Sequence, residues 1–306
     1  MMASAVVLAA TLFVSSAAMP LLGQSAVRQH AFDVASVKPN KSGNSPTSNF
    51  PLGPGDIYAP NGGFFSATNQ PLITYLYFAY RIMSNQGRYL FPQLPEWVTT
   101  EKFDIQARAE GNPGKAEMRL MMRSLLADRF KLAVHYETRQ VPLFAIVLVK
   151  PGKTGPQLQL HPHDTSCPTT PSPQPIKAPQ QLQTVAGGFP VLCNGLFPLP
   201  ASERGRMRVG GRNVTIGFIA DTMSGMADLG RAMFDKTGIN DTVDFVLEWA
   251  PERRNSPQPG AASPPDAPSG PTFQQALREQ LGLKLESEKG PLEIIVVDHV
   301  EHPAEN

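Results

Sequence analysis

EMRLMMRSLLADRFKLAVHYETRQVPLFAIVLV, residues Glu117 to Val149, is the stretch from which the fold is read. Met118, Met121, Met122, Leu125 and Leu126 fall at i, i+3, i+4, i+7 and i+8, one helical face directed at a core. Asn112-Pro113 marks the helix start. A methionine cluster can also serve as a soft binding surface, but core packing is its commoner meaning. Leu132 and Val134 continue as a strand, Thr138 to Val141 reads as a turn, and Leu143 to Val149 as the return strand. The apolar run Phe144 to Val149 predicts a central strand covered on both faces. The stretch is thus expected to be a helix running into a hairpin.

A second stretch has the same grammar. FQQALREQLGLKLESEKGPLEIIVVD, residues Phe273 to Asp298, opens on a capping box, Thr272 with Gln275. Leu126, Asp128, Phe130, Leu132 and Val134 match Leu277, Glu279, Leu281, Leu283 and Leu285 without a gap, and Pro142 then matches Pro291. Upstream, Phe103-Asp104-Ile105 matches Val243-Asp244-Phe245. Asn69 and Asn213 each stand where a helix is expected to open. The expectation is an α+β fold of two related β-α-β-α-β-β units, an internal duplication, each sheet covered by amphipathic helices.

The rest of the chain fits around these units. Residues 31–150 form the first unit, with strands expected at Ala31 to Val37, Phe64 to Thr68 and Phe103 to Ala109. Lys38-Pro39-Asn40 is expected to end the first strand. Residues 40–63 and 81–101 read as loops. Residues 151–205 are Pro-rich and read as a linker or long excursion. Residues 206–303 form the second unit, with a Pro/Ser/Gly insert at 251–271.

Composition bounds the function. The 306 residues carry a net charge of +1, so no global field draws the chain to nucleic acid or anionic lipid. Thirty-one prolines in a chain only 17% charged imply long stretches outside helix and central strand. Residues 1–24 hold an apolar run from Ala5 to Ala18. It is shorter than the roughly 20 residues that span a bilayer. It reads as a signal peptide, although no Lys or Arg precedes Arg28, or as a retained N-terminal anchor. The expected location is therefore extracytoplasmic, with membrane contact only through that segment. The two cysteines, Cys167 and Cys193, read as one disulfide in an exported chain. It would close a loop of about 25 residues and stabilise by roughly 3 kcal/mol. Two free thiols are the alternative.

FDVASVKPN, FFSATNQPL, FDIQARAEG, MRLMMRSLLADRFKLAVHYETR, DKTGI, VDFVLEWAPE and LREQLGLKLESEKGPLEIIVVDHVEHPAEN together resemble the soil-associated family of acidobacterial proteins. That family is built on a domain of unknown function and occurs in large paralogous sets. The resemblance implies export, and a kinship with domains attached to membrane-bound BlaR-type metallopeptidase modules. It implies no catalytic residue. The helix-led units also faintly resemble the short N-terminal domains of secretins and TonB-dependent receptors.

Motifs of catalysis are scarce. There is no G-x-S-x-G, S-x-x-K, H-E-x-x-H, Walker loop or G-x-G-x-x-G. His161, His163 and Asp164 crowd near Cys167 as weak metal-ligand candidates, in a Pro-rich context that argues against a site. His135 beside Glu137 reads as a structural strand histidine, and His299 and His302 around Glu301 as a solvated tail. Asp104 and Asp244, at equivalent places, suit a turn or inter-strand bond better than catalysis. Trp97, Tyr75, Tyr77 and Tyr80 read as core, or as the lining of an apolar cleft. No cofactor is expected. The expected function is a non-enzymatic binding or interaction module for an envelope protein or small ligand. An extracytoplasmic hydrolase and strand addition at an open sheet edge are the alternatives. Function is expected where the copies differ, at 40–63, 81–101, 151–205 and 251–271.

Overall fold

The computed structural model describes residues 30–163, 184–251 and 269–303. The leader at 1–24, Asp164, Cys167 and most of the 251–271 insert lie outside them. Among the described residues no helix is long and apolar enough to cross a membrane.

The helix of the opening stretch, α4 (Lys115–Phe130), forms as its periodicity dictates: Met118, Met122, Leu125, Leu126 and Phe130 are buried on one face. It stops where Lys131 turns left-handed at φ 51. The hairpin expected after it does not form. Residues Ala133–Leu148 are one unbroken strand, β5, and Leu283–His299 are another, β11. The two pair antiparallel along almost their whole length, from Leu283 against Leu148 to Val297 against Val134. There is no turn at Thr138 to Val141 and no return at Gly290-Pro291. Proline lacks a donor but tolerates a strand wherever its nitrogen faces away from a ladder bond. Pro291 lies on an edge strand, and Pro142 lies just ahead of the Leu143–Ile146 segment where a third strand joins β5.

This ribbon has a consequence for the core. The first half of β5 and the last half of β11 pack together in one hydrophobic core, where Ile295 is buried with Val134, Val297 and Val300 against it. The last half of β5 and the first half of β11 pack in the other, through Ile146, Leu283, Phe144, Leu148 and Leu285. Each unit thus receives its final strand from the other. Of the run Phe144 to Val149, expected to be central throughout, only the part up to Ile146 is so: Leu143 to Ile146 lies between β11 and β9, with Val141, Leu143, Ala232, Leu292 and Ile294 forming a small core on the second face, whereas Val147 to Val149 are half-buried beyond the end of β9.

The two four-stranded sheets have the same order. In the first, β1 (Val34–Asn40), β4 (Lys102–Arg108), β3 (Phe64–Pro71) and β2 (Thr47–Ser48) run edge to edge. In the second the order is β6 (Leu158–Leu160), β10 (Val243–Trp249), β8 (Met207–Val214) and β7 (Gly195–Pro198). The 151–205 segment is therefore more than a spacer, since it supplies both edge strands of the second sheet. Strand β1 also runs through Pro39 rather than ending at Lys38, as its edge position permits. Helix α1 (Leu72–Tyr80) follows β3, and α5 (Ile216–Met226) follows β8.

Other elements depart from the sequence expectation. The 81–101 segment contains α2 (Ser84–Leu90) and the short α3 (Trp97–Thr100). Strand β9 (Ala232–Asp235) joins β5 in parallel. In the second unit, α6 (Phe273–Ala276) carries the expected capping box and continues as a π turn over Leu277–Leu281.

Asn69 and Asn213 do not cap the helices. Pro71 and Thr215 stand at those positions, and the Thr215 hydroxyl accepts from the Phe218 N–H at 3.1 Å. The asparagines lie two residues earlier, each left-handed, at φ 54 and φ 51, where β3 and β8 slip register against β4 and β10. Such a bulge leaves a main-chain donor without a ladder partner. An aspartate supplies the acceptor in both units: the Asn69 N–H donates to Asp104 Oδ1 at 2.8 Å, and the Asn213 N–H to Asp244 Oδ1 at 3.0 Å.

Candidate functional site: a cleft between the units

The largest of the clefts described here opens where the two units meet the ribbon, and holds about 500 Å³. Its floor is apolar: Met83 just before α2, Phe218 on α5, Phe234 on β9 and Leu292 on β11. Its rim carries Arg81, Gln86, Thr215, Asp221 and Glu293. This volume lies within the usual range for small-molecule or peptide sites, roughly 300–1,000 Å³. Gly217 leaves room at the α5 start, since a Cβ there would meet nothing nearer than the Thr215 hydroxyl at 3.9 Å.

A second cleft, about 330 Å³, lies beside Ile82 and is walled by Leu52, Gly53, Pro54, Thr74 and Tyr77. Its outer wall is a loop held by buried cations on α4. Arg119 donates to Asp56 Oδ1 at 2.8 Å and to the carbonyls of Pro54 and Gly55 at 2.8 and 3.1 Å. Lys115 Nζ donates to the Ile57 carbonyl at 3.2 Å, and burial, then the neighbouring Arg119, pushes its pKa down to about 8. Arg81 reaches the same Asp56 at 3.2 Å. Sequence reading passed over Lys115 and Arg119; their signal was the i, i+4 spacing on the methionine-bearing helix.

A third cleft, about 300 Å³, surrounds Glu248. Burial alone would raise that carboxyl, but the Ser202 hydroxyl and N–H, Arg208 and Arg206 together hold it below its ordinary value. Gln280 closes the strand edge beside it, accepting from the Glu248 N–H at 2.9 Å and donating to its carbonyl at 2.7 Å. All three clefts are walled in part by segments where the two units differ in sequence.

The candidates named from sequence are dispersed. His161 is buried, with Nδ1 bonded to Asp244 Oδ1 at 2.7 Å, whereas His163 is exposed. Among the described residues no three His, Cys, Asp or Glu side chains are placed to share a metal ion. Cys193 is fully buried.

The His161–Asp244 pair has the look of a catalytic dyad, but its counterpart identifies its task. In the first unit Asn40 occupies the place of His161, two residues past the residue paired with the aspartate, and donates to Asp104 Oδ1 at 2.7 Å. One aspartate in each unit therefore ties an edge strand to the bulge, as suspected from the equivalence of Asp104 and Asp244.

Three further histidines bond carboxylates on the ribbon and tail. His135 bonds Asp298 at 2.8 Å and Glu137 at 3.2 Å, and these bonds raise its pKa. Both ring nitrogens are thus engaged by carboxylates. His299 bonds Glu301 at 2.7 Å; His302 bonds Glu101 at 3.3 Å and stacks on Trp97 at 4.0 Å. Tyr75 is core and its hydroxyl donates to the Phe103 carbonyl at 3.1 Å, while Tyr77 lines the second cleft.

Helices and strands mixed in several sheets make this an α+β protein. The chain belongs to the family described as protein of unknown function DUF3738, whose model matches residues 73–300. No curated protein and no solved structure matches it.

Proposed function

We propose that the chain is an exported, non-enzymatic binding module of the cell envelope, and that its ligand or partner occupies the cleft between the units. One observation carries this reading: a mixed apolar and polar cleft of about 500 Å³ built by both units and the ribbon. The hydrolase alternative needs a nucleophile, a base and an orienter converging on one open site. The buried histidine–carboxylate pair is poor support for it, because Asn40 fills the same position beside Asp104. The matching sheet orders and aspartate–bulge bonds are further reason to regard the units as an internal duplication. Export, the soil-associated acidobacterial kinship and a Cys167–Cys193 disulfide belong to the same reading.

The test is ligand capture by a plugged cleft. Gly217→Trp places an indole where the backbone leaves space. Native protein incubated with envelope extract should retain a molecule identified by mass spectrometry, and the variant, folded to the same melting temperature, should not. Equal retention by the two proteins would place binding elsewhere.

A further inference from the structure

Helix α1 buries six of its nine residues and leaves Thr74, Tyr77 and Tyr80, at i, i+3 and i+6, on its open side. Thr74 and Tyr77 line the smaller cleft of about 330 Å³, together with Leu52, Gly53, Pro54 and Ile82. The loop wall of that cleft is held in place, because Arg119 grips Asp56 and the carbonyls of Pro54 and Gly55. Two hydroxyls on this side of α1 have nothing in the protein to bond. Tyr75, on the buried side, donates to the Phe103 carbonyl at 3.1 Å. Among the described residues neither the Tyr77 nor the Thr74 hydroxyl has a hydrogen-bond partner. A helical threonine often bonds back to the carbonyl four residues earlier, and a buried phenol usually finds a partner. Tyr77 is withdrawn from water, since burial pushes its pKa up to about 12. Its oxygen is nonetheless not sealed in: among the described residues the fully buried unbonded side-chain atoms are Arg119 Nε, Arg212 Nε and Thr222 Oγ1. It therefore opens on the space that its own ring lines. Gly87 of α2 leaves room for it, since a Cβ there would overlap the hydroxyl.

We propose that this cleft is a second binding site, for a small uncharged and mostly apolar molecule whose carbonyl oxygen accepts from the Tyr77 and Thr74 hydroxyls. The site is independent of the cleft between the units. Its lining sets the ligand class. Leu52, Pro54, Ile82 and the Tyr77 ring supply apolar surface, and the two hydroxyls supply donors. No charged side chain lines it. The cations behind the loop wall are engaged, Arg119 as above and Lys115 with the Ile57 carbonyl at 3.2 Å. A carboxylate would enter without a counter-ion, whereas a carbonyl needs only a donor. The volume holds a molecule of roughly ten non-hydrogen atoms.

The probes are methyl benzoate, a neutral ester of that size, and benzoate, its carboxylate. Added to isotope-labelled native protein at millimolar concentration, the ester should shift the signals of Thr74, Tyr77 and Ile82. Benzoate should bind about tenfold more weakly or not at all. Tyr77→Phe keeps the ring and its edge contact with Phe91, and Thr74→Val keeps the side-chain shape. Each variant, folded to the native melting temperature, should weaken the ester about fivefold. Gly217→Trp, which fills the other cleft, should leave ester binding unchanged. The proposal is overturned if no residue of this cleft shifts, or if benzoate binds as tightly as the ester. It is also overturned if Tyr77→Phe binds the ester like the native protein, since the hydroxyl is then not the contact. Loss of ester binding in Gly217→Trp would put the probe between the units and overturn the second site.

Discussion

Replacing His161 by asparagine should leave the protein folded and able to bind, because the chain already uses asparagine at the matching place. Asp244 is 3% exposed and receives the His161 ring at 2.7 Å and the Asn213 N–H at 3.0 Å, with Arg212 at 3.9 Å. Asp244→Ala strands all three partners, an expected loss of about 3–5 kcal/mol, the usual cost of breaking a buried charged cluster. His161→Ala removes one bond to a charged acceptor and leaves a small void, so about 2–3 kcal/mol is expected. His161→Asn restores a donor of the kind that Asn40 offers Asp104 at 2.7 Å, and should cost about 1 kcal/mol. Urea unfolding provides the assay, with fluorescence from Trp97 in the first unit and Trp249 in the second. Ligand capture by each variant is the companion readout. The structural assignment is refuted if His161→Asn costs as much as His161→Ala. It is also refuted if the asparagine variant keeps its stability and loses function, which would mean the imidazole itself is used.

Other outcomes follow from the same geometry. Lys115 is pushed from its ordinary 10.5 down to about 8, so between those values the unfolded chain holds a proton that the fold has shed. Stability therefore rises with pH across that window, and Lys115→Met should flatten the rise by about 3 kcal/mol in paired urea titrations. Ile295 lies late in the chain but is buried in the first core. Ile295→Ala should cost about 2–5 kcal/mol and shift the Trp97 and Trp249 transitions together; a shift of Trp249 alone would contradict strand exchange. A Cβ at Gly155 would overlap the Gln280 carbonyl where the chain leaving β5 meets the end of the π turn. Gly155→Ala should therefore lower the melting temperature by several degrees, a loss of about 1–3 kcal/mol.

How much was legible in the sequence depended on whether local signals met local competition. The α4 stripe, the Thr272–Gln275 capping box and the covered Leu143–Ile146 strand were readable, because periodicity and side-chain chemistry specify them locally. The hairpins were misread because Pro142 and Gly290-Pro291 carry turn chemistry, and only the pairing of β5 with β11, residues far apart in sequence, shows that both strands run straight. Helix α2 was masked by the prolines that follow it. Strand β9 has only four residues and offers no period of its own. The cleft could not be read at all: Met83, Phe218, Phe234 and Leu292 come from four separate elements joined only by the fold. Of the segments expected to carry function, 81–101 alone borders it among the described residues, through Arg81, Met83 and Gln86, while 40–63, 151–205 and 251–271 do not line it.

Hydrogen exchange of the native protein, with and without its captured ligand, tests the central claim most directly, that binding occurs between the units. Added protection concentrated at residues 81–86, 215–221 and 292–295, and absent in Gly217→Trp, is the result predicted. Protection that leaves these three segments unchanged and falls on residues 202–208 around Glu248 would contradict it.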